Sequence, residues 1–422
     1  MNTTINEQLH YMSRALELAK QGLGAVAPNP MVGCVIVKNG EIIGEGYHRN
    51  YGGPHAEIEA LNAAGDEAKG STVYVTLEPC SHFGKTPPCA KALVEAKVAK
   101  VVAAMRDPNP LVNGAGLELL QNAGIVTVES VMENEARDLN VKYLTRVEKK
   151  RPWIVAKWAM TLDGKIATRT GSSHWISSEA SRKLVHKLRG QMDAIMVGSG
   201  TALQDDPLLT VRNFDEPTKE SQSTERKHPI RVVLDSSAAI SLESRLVKTA
   251  REHPLLIGVS FDASVKKVEQ LQNAGCEIIT LPGRSFRDTS ESERMRLRDF
   301  RPGSAEDRAV PITPSLYERH DASKPDIFRD RLTYLFSHLV RRGVTNLLVE
   351  GGGTLLGSLF DVKMIDEVHV FIAPKFVGGK NAKSPIAGLG LAEMVDSPRL
   401  ESPNWQIVDT DIYIHGRLRY AF

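Results

Sequence analysis

Apolar residues open the chain at helical intervals. In MNTTINEQLHYMSRALELAK, Leu9, Met12, Leu16 and Ala19 are spaced by three or four residues, which predicts a helix with one apolar face. The rhythm then shortens. GCVIVKNGEIIGEGYH holds two apolar runs around Lys38-Asn39-Gly40, the pattern of a β-hairpin. A helical stretch from His55 to Ala64 follows, then STVYVTLEP as a strand, Ala90 to Lys97 as a helix and KVVAAMRD as a strand. LELLQNAGIVTV reads as helix, turn and strand. Strands alternating with helices predict an α/β region with a mainly parallel sheet. RVEKKRP is charged, short and closed by Pro152, so a domain boundary is expected there, dividing the chain into 1–147 and 148–422. The second region offers PWIVAKWAM, DAIMVG, RVVLD, PLLIGVS, CEIITL, TNLLVEGG, DEVHVFIAP and QIVDTDIYIHG as strands, again with helices between several of them. Residues 284–330 break the pattern. They are rich in charge, Ser and Pro, and are expected to form a mobile surface insertion, with a helix at 291–300.

Bulk composition narrows the class. The chain has 422 residues, which at about 100–200 per domain allows two or three domains. Net charge is +2 and aromatics are 6%, so there is no basic, aromatic-studded face for nucleic acid. No run is long and apolar enough for a membrane span, and the N-terminus lacks the apolar core of a secretory signal. Four cysteines are too few for a disulfide scaffold, and the expectation is a cytoplasmic protein with reduced thiols.

Two of those cysteines raise a question. PCSHFGKTPPC places Cys80 and Cys89 on a polar loop, which a disulfide, a metal site or chance could explain. Upstream, GGPHAEIEAL puts His55 at a helix start with Glu57 two residues on. One His and two Cys are a three-ligand set for zinc that leaves a position for water. H-x-E followed by P-C and a second Cys is the signature of zinc-dependent nucleobase deaminases, in which the glutamate shuttles a proton and is not a ligand. Cys34, inside MVGCVIV, is expected to be core, and Cys276 has no assigned role. In the second region, TNLLVEGGGTLLGSLF is a strand, three glycines and a helix, a form suited to an anion, though Leu356 stands where a dinucleotide fingerprint needs its third glycine. Lys157 interrupts an apolar strand, so it is expected to face a site.

The eight-residue spacer between the cysteines, PNPMVGCVIV and RDPNP together resemble the riboflavin-pathway deaminases. AKWAMTLDGKIA, SSHWIS, GSGTALQDDPLLTVR and VEGGGT occur in the order found in the riboflavin-pathway reductases. The resemblance implies a cytidine-deaminase-like domain followed by a dihydrofolate-reductase-like domain. It implies zinc on His55, Cys80 and Cys89, Glu57 as catalytic acid and base, and Asn29, His48, Asp107 and Asn109 around the pyrimidine and ribose. Lys85 and Thr86 suit a substrate phosphate. For the reductase half it implies NADPH contacts from Ala159, Trp175, Thr201, Asp205 and the loop Gly352, Gly353, Thr354, Leu355, Leu356, Gly357 and Ser358. Substrate contacts would come from Ser173, Arg189, Leu209, Arg212 and Glu350, with both arginines fitting a 5′-phosphate and Lys157 polarising the sugar carbonyl. The expected substrate is a phosphorylated pyrimidine, processed by deamination and then by reduction of its ribosyl chain. Apolar strands in the second region make a homo-oligomer an expectation.

Two other readings share some of these residues. A tRNA deaminase has H-x-E and a cysteine pair, but with the short spacer and a basic face. A scaffold with purely structural zinc needs a fourth ligand, and His82 could serve.

Overall fold

The computed structural model describes residues 2–82, 87–211, 228–282 and 327–420. Its contacts divide the chain into two compact units, Met1–Trp153 with Val340–Thr345, and Ile154–Leu339 with Asn346–Phe422. Positions 147 and 148, where the charged run suggested a boundary, lie inside the helix Val141–Lys149. This helix is amphipathic, and burial of Tyr143 and Leu144 holds its charged stretch in register.

The first unit is built on a five-stranded sheet of β1 (Gly33–Lys38), β2 (Glu41–Tyr47), β3 (Thr72–Val75), β4 (Lys100–Ala103) and β5 (Val126–Val128), in the order β2-β1-β3-β4-β5. β1 runs antiparallel to both β2 and β3, whereas β3, β4 and β5 are parallel, so the sheet is mixed rather than mainly parallel. The hairpin is the cause, because a two-residue turn reverses the chain where a crossover helix would preserve its direction. Asn39 and Gly40 both have positive φ (53° and 82°), the primed turn that matches strand twist. Helix Asn2–Lys20 covers the sheet with Tyr11, Met12, Ala15, Leu16 and Ala19, while Leu9 is 42% exposed and lies off the buried face. Gly33 lets this helix approach β1, since a Cβ there would stand 2.0 Å from the Ala15 carbonyl oxygen.

The second unit has a nine-stranded sheet: β6 (Trp153–Thr161), β7 (Ala194–Gly198), β8 (Ile230–Leu234), β9 (Leu255–Ser260), β10 (Glu277–Leu281), β11 (Asn346–Glu350), β12 (Glu367–Ala373), β13 (Arg399–Val408) and β14 (Asp411–Arg419). The order is β10-β9-β8-β7-β11-β6-β12-β14-β13. QIVDTDIYIHG, read from its pattern as one strand, contains the end of β13 and most of β14. The chain reverses at Asp409-Thr410, and Asp409 takes φ 58°. The helix expected at 291–300 lies outside the described residues, as does nearly all of the expected insertion; from Ile327 the chain is already in the helix Ile327–Arg341.

Candidate active sites

The HAE segment begins the helix Ala56–Ala64, with His55 as its extended N-cap residue and Glu57 in the first turn. Cys80 follows β3, and Cys89 opens the helix Cys89–Glu95. These three elements bring His55 Nδ1 to 3.6 Å from the Cys80 sulfur and 3.2 Å from that of Cys89, while the Cys89 N–H donates to Cys80 Sγ at 3.3 Å. All three ligand atoms lie within 4.8 Å of one another, and His82 is not part of this group. Hydrogen bonding from Cys89, with His55 adding to it, pulls the Cys80 thiol down to about 4. The donor set suits zinc: one imidazole and two thiols, one of them poised as thiolate. Glu57 is 3% exposed, and burial, reinforced by Cys80, pushes its carboxyl up to about 7. A group near neutrality can both take and give a proton.

A cavity of about 260 Å³ opens beside these residues, lined among others by Asn29, His48, His55, Glu57, Cys80, Asp107 and Asn109. His48 Nδ1 lies 2.9 Å from the Pro54 carbonyl oxygen, which places the ring hydrogen there, so Nε2 accepts from the Asn29 amide at 3.2 Å. Burial lowers the pKa of His48, consistent with a neutral ring. Asp107 Oδ1 accepts from the Tyr143 hydroxyl (2.8 Å) and the Asn109 N–H (2.9 Å). Lys85 lies outside the described residues.

Glu78, Tyr143 and Arg146 are among the lining residues that the motifs missed. Glu78 is 3% exposed, and its carboxylate accepts from the N–H groups of Asp107, Gly114, Gly116 and Leu117 at 3.0–3.4 Å. It thereby ties the loop after β4 and the start of helix Ala115–Asn122 to the residue before Pro79-Cys80. Its place inside LEPC, beside the buried Leu77, was a clue, since a carboxylate carried into the interior has to find donors. Tyr143 and Arg146 sit three apart on their helix and had no motif.

In the second unit, Lys157, Ala159, Ser173, Trp175, Arg189 and Glu350 line a second cavity of about 260 Å³, together with Ile176, Ser177, Arg182, Val185 and His186. Glu350 ends β11 and takes a bidentate pair from Arg189 (Nε–Oε1 2.5 Å, Nη2–Oε2 3.0 Å), with Lys157 Nζ 3.9 Å away. Arg189 Nη1 also donates to the Thr210 carbonyl oxygen at 3.2 Å. The expected phosphate fork of Arg189 is therefore committed to a carboxylate. Burial opposes the charge on Glu350, but Arg189 and Lys157 outweigh it and hold the carboxyl down to about 2. Burial also lowers the pKa of Lys157. Trp175 is 69% exposed at φ 63°, with the Arg182 guanidinium 4.4 Å above its ring.

The glycine turn is separate from that lining. Helices Ser199–Asp205 and Gly353–Asp361 begin at the ends of β7 and β11, which are neighbouring parallel strands. Thr201 Oγ1 accepts from the Gly352 N–H at 3.1 Å, and Ser173 donates to Asp205 at 3.3 Å. A Cβ on Gly353 would meet the Ser384 carbonyl oxygen at 2.3 Å, and one on Gly357 would meet that of Ala387 at 2.0 Å, so backbone fills those places. Leu355 and Leu356 are buried core, at 7% and 0% exposure. Of the expected loop, Gly352, Thr354 and Ser358 keep exposed surface. Leu209 is buried at φ 53°, and Arg212 lies outside the described residues.

Residues 5–105 match the cytidine and deoxycytidylate deaminase zinc-binding region, and residues 152–414 match the RibD C-terminal domain. The riboflavin biosynthesis protein RibD of Actinobacillus pleuropneumoniae is 38% identical over 96% of this chain and 94% of its own length. The chain belongs to the RibD family. RibD of Escherichia coli is also 38% identical, over 96% of this chain and 98% of its own. Among solved structures, Acinetobacter baumannii RibD (form 1) superposes with a TM-score of 0.74 at 31% identity, covering 99% of this chain and 100% of that one. A Thermotoga maritima structure, titled as a diaminohydroxyphosphoribosylaminopyrimidine deaminase/5-amino-6-(5-phosphoribosylamino)uracil reductase, gives 0.69 at 31% identity, with 99% and 100% covered. As a member of this family, the chain is a bifunctional deaminase and reductase of riboflavin biosynthesis, with a zinc-binding deaminase domain and an NADPH-dependent reductase domain of dihydrofolate-reductase type. No helix among the described residues is long and apolar enough to cross a membrane.

Proposed function

We propose that the first cavity deaminates 2,5-diamino-6-(5-phosphoribosylamino)pyrimidin-4-one and that the second reduces the product's ribosyl chain to ribityl. The convergence of His55, Cys80 and Glu57 on one cavity, with Cys89 completing the ligand group behind them, carries this reading. Zinc on the three ligands would supply a Lewis acid that makes water acidic near neutral pH. Glu57 holds the proton at its carboxyl and delivers it to the departing amino group, which leaves as ammonia. Neutral His48 and Asn29 face the ring, while Asp107, held by Tyr143, meets the ribose side. Lys85 remains the proposed phosphate contact.

NADPH would supply hydride in the second cavity. Gly352, Thr354 and Ser358, with Thr201 and Asp205 beside them, form the cradle proposed for it; Gly353, Leu355, Leu356 and Gly357 support it from the core. Ala159 and Trp175 complete the cofactor side. Lys157 is placed to polarise the sugar carbonyl, and Glu350 and Arg189 orient it. Ser173, Leu209 and Arg212 remain substrate contacts by family resemblance.

A homo-oligomer is part of the proposal. β13 is a sheet edge carrying Trp405 and Ile407, 64% and 80% exposed, a template for pairing with a second copy. Sedimentation at increasing concentration tests it, and a monomer throughout refutes it. Reduced thiols at the metal site favour the cytoplasm.

The test is NADPH oxidation by purified zinc-loaded protein given the diaminopyrimidinone. Oxidation in the wild type that disappears in Glu57→Ala, and returns when the deaminated pyrimidine is supplied, supports both steps in this order. No oxidation with either substrate overturns the reading.

A further inference from the structure

A second group of metal-ligating side chains lies on the sheet of the second unit; none of its members lines either cavity, although His369 on β12 pairs in register with Lys157 on β6. β12 and β14 are antiparallel, with His369 directly opposite His415 and Phe371 opposite Tyr413. Residues two apart on a strand share a face, so Glu367 joins His369 on this side. His369 Nε2 lies 2.9 Å from Glu367 Oε1, and the His415 ring stacks on that of His369 with centroids 5.2 Å apart and planes 10° apart. One ligand atom from each of Glu367, His369 and His415 falls within 4.8 Å of the others. On its far side, His369 Nδ1 meets the Tyr413 hydroxyl at 2.5 Å.

We propose that Glu367, His369 and His415 form a second divalent transition-metal site, distinct from the cysteine-bearing centre. Two imidazoles and one carboxylate are a ligand set of open zinc sites, and lacking a thiolate the set also suits nickel and cobalt. The strand pairing supplies the geometry without any folding around the ion, because directly opposed side chains on one sheet face are already neighbours. Tyr413 plays the outer role usual for a metal-bound histidine. A metal on Nε2 requires the ring hydrogen on Nδ1, and the hydroxyl oxygen stands where it can accept it. His369 is 6% exposed, but Glu367 and His415 are half-buried, so an ion reaches the site without crossing the core. An ion pair between Glu367 and His369 would explain the carboxylate alone. It does not explain a second imidazole laid parallel to the first.

The measurement is zinc content by mass spectrometry of the untagged full-length chain, loaded with zinc alone and passed through gel filtration. Two equivalents per chain are expected in the wild type, one in His415→Ala and one in Cys80→Ser/Cys89→Ser. A single equivalent in the wild type, or two retained in His415→Ala, overturns the proposal. A cobalt titration of the Cys80→Ser/Cys89→Ser protein guards against loss of folding in the histidine variant. Visible bands without thiolate charge transfer, weakened in Glu367→Gln, support the site, and absence of bands refutes it.

Discussion

Tyr143 decides how firmly Asp107 is held in the deaminase cavity. Asp107 is 6% exposed, and one of its oxygens takes both the Tyr143 hydroxyl and the Asn109 N–H. Burial raises the Asp107 pKa, so removing a donor favours the neutral acid further. Tyr143→Phe is expected to cost about 1–2 kcal/mol of substrate binding, read as a roughly 5- to 30-fold rise in KM with kcat little changed. A fall in kcat alone would place the tyrosine elsewhere in the reaction. This residue shows the limit of motif reading. His55, Glu57, Cys80 and Cys89 are recognisable because metal and proton chemistry restrict residue type and spacing. Tyr143 acts through Asp107, 36 positions away, and nothing local marks it.

At the scale of elements, close approach governs both sites. Gly116 lies in the first turn of helix Ala115–Asn122, and a Cβ there would stand 1.9 Å from the Pro79 carbonyl oxygen. Gly116→Ala is expected to lower the melting temperature and the affinity for zinc together, because the displaced backbone carries Cys80; zinc affinity unchanged beside a lowered melting point would contradict that coupling. In the reductase unit, the ion-paired end of β11 has a pH signature. Glu350 sits down at about 2 against an ordinary 4.5. A lowered carboxyl pKa stabilises the folded state above the unfolded value, and that contribution fades as pH falls from 4.5 toward 2. Glu350→Gln should lose about 3–5 kcal/mol at neutral pH, since two buried cations are left uncompensated. The variant should also show a flatter decline of urea midpoint between pH 5 and 2.5 than the wild type; parallel declines would remove Glu350 from the account. The pairing was not legible from sequence, which pointed to Arg189 as a phosphate ligand, because 161 residues separate the partners. Elements with local causes were legible. Asn39-Gly40 announces its turn, whereas Asp409-Thr410 lies inside an apolar alternation that carries on past it and hides the break between β13 and β14.

For the whole molecule, the two chemistries draw on separate sets of residues. The lining of the first cavity falls between Pro28 and Arg146, and that of the second between Lys157 and Glu350. Removing zinc with a chelator is therefore expected to abolish ammonia release while leaving NADPH oxidation intact when the deaminated pyrimidine is supplied. Loss of both activities would mean that zinc, at the cysteine centre or at Glu367, His369 and His415, also supports the reductase half. The order of the two regions was readable because each carries its own strand and helix rhythm. The side-by-side placement of β7 and β11, which joins Thr201 to Gly352 across 151 positions, was not.

Glu78 has a further consequence. Its backbone leads directly into Pro79-Cys80, and its carboxylate grips the loop that carries Asp107. One side chain thus acts as a ruler between the segment that carries Cys80 and the loop that carries Asp107. Glu78→Asp would shorten that ruler by one bond, about 1.5 Å. The spacing between Cys80 and Asp107 is gauged by a carboxylate that is itself no part of the His55, Cys80 and Cys89 group.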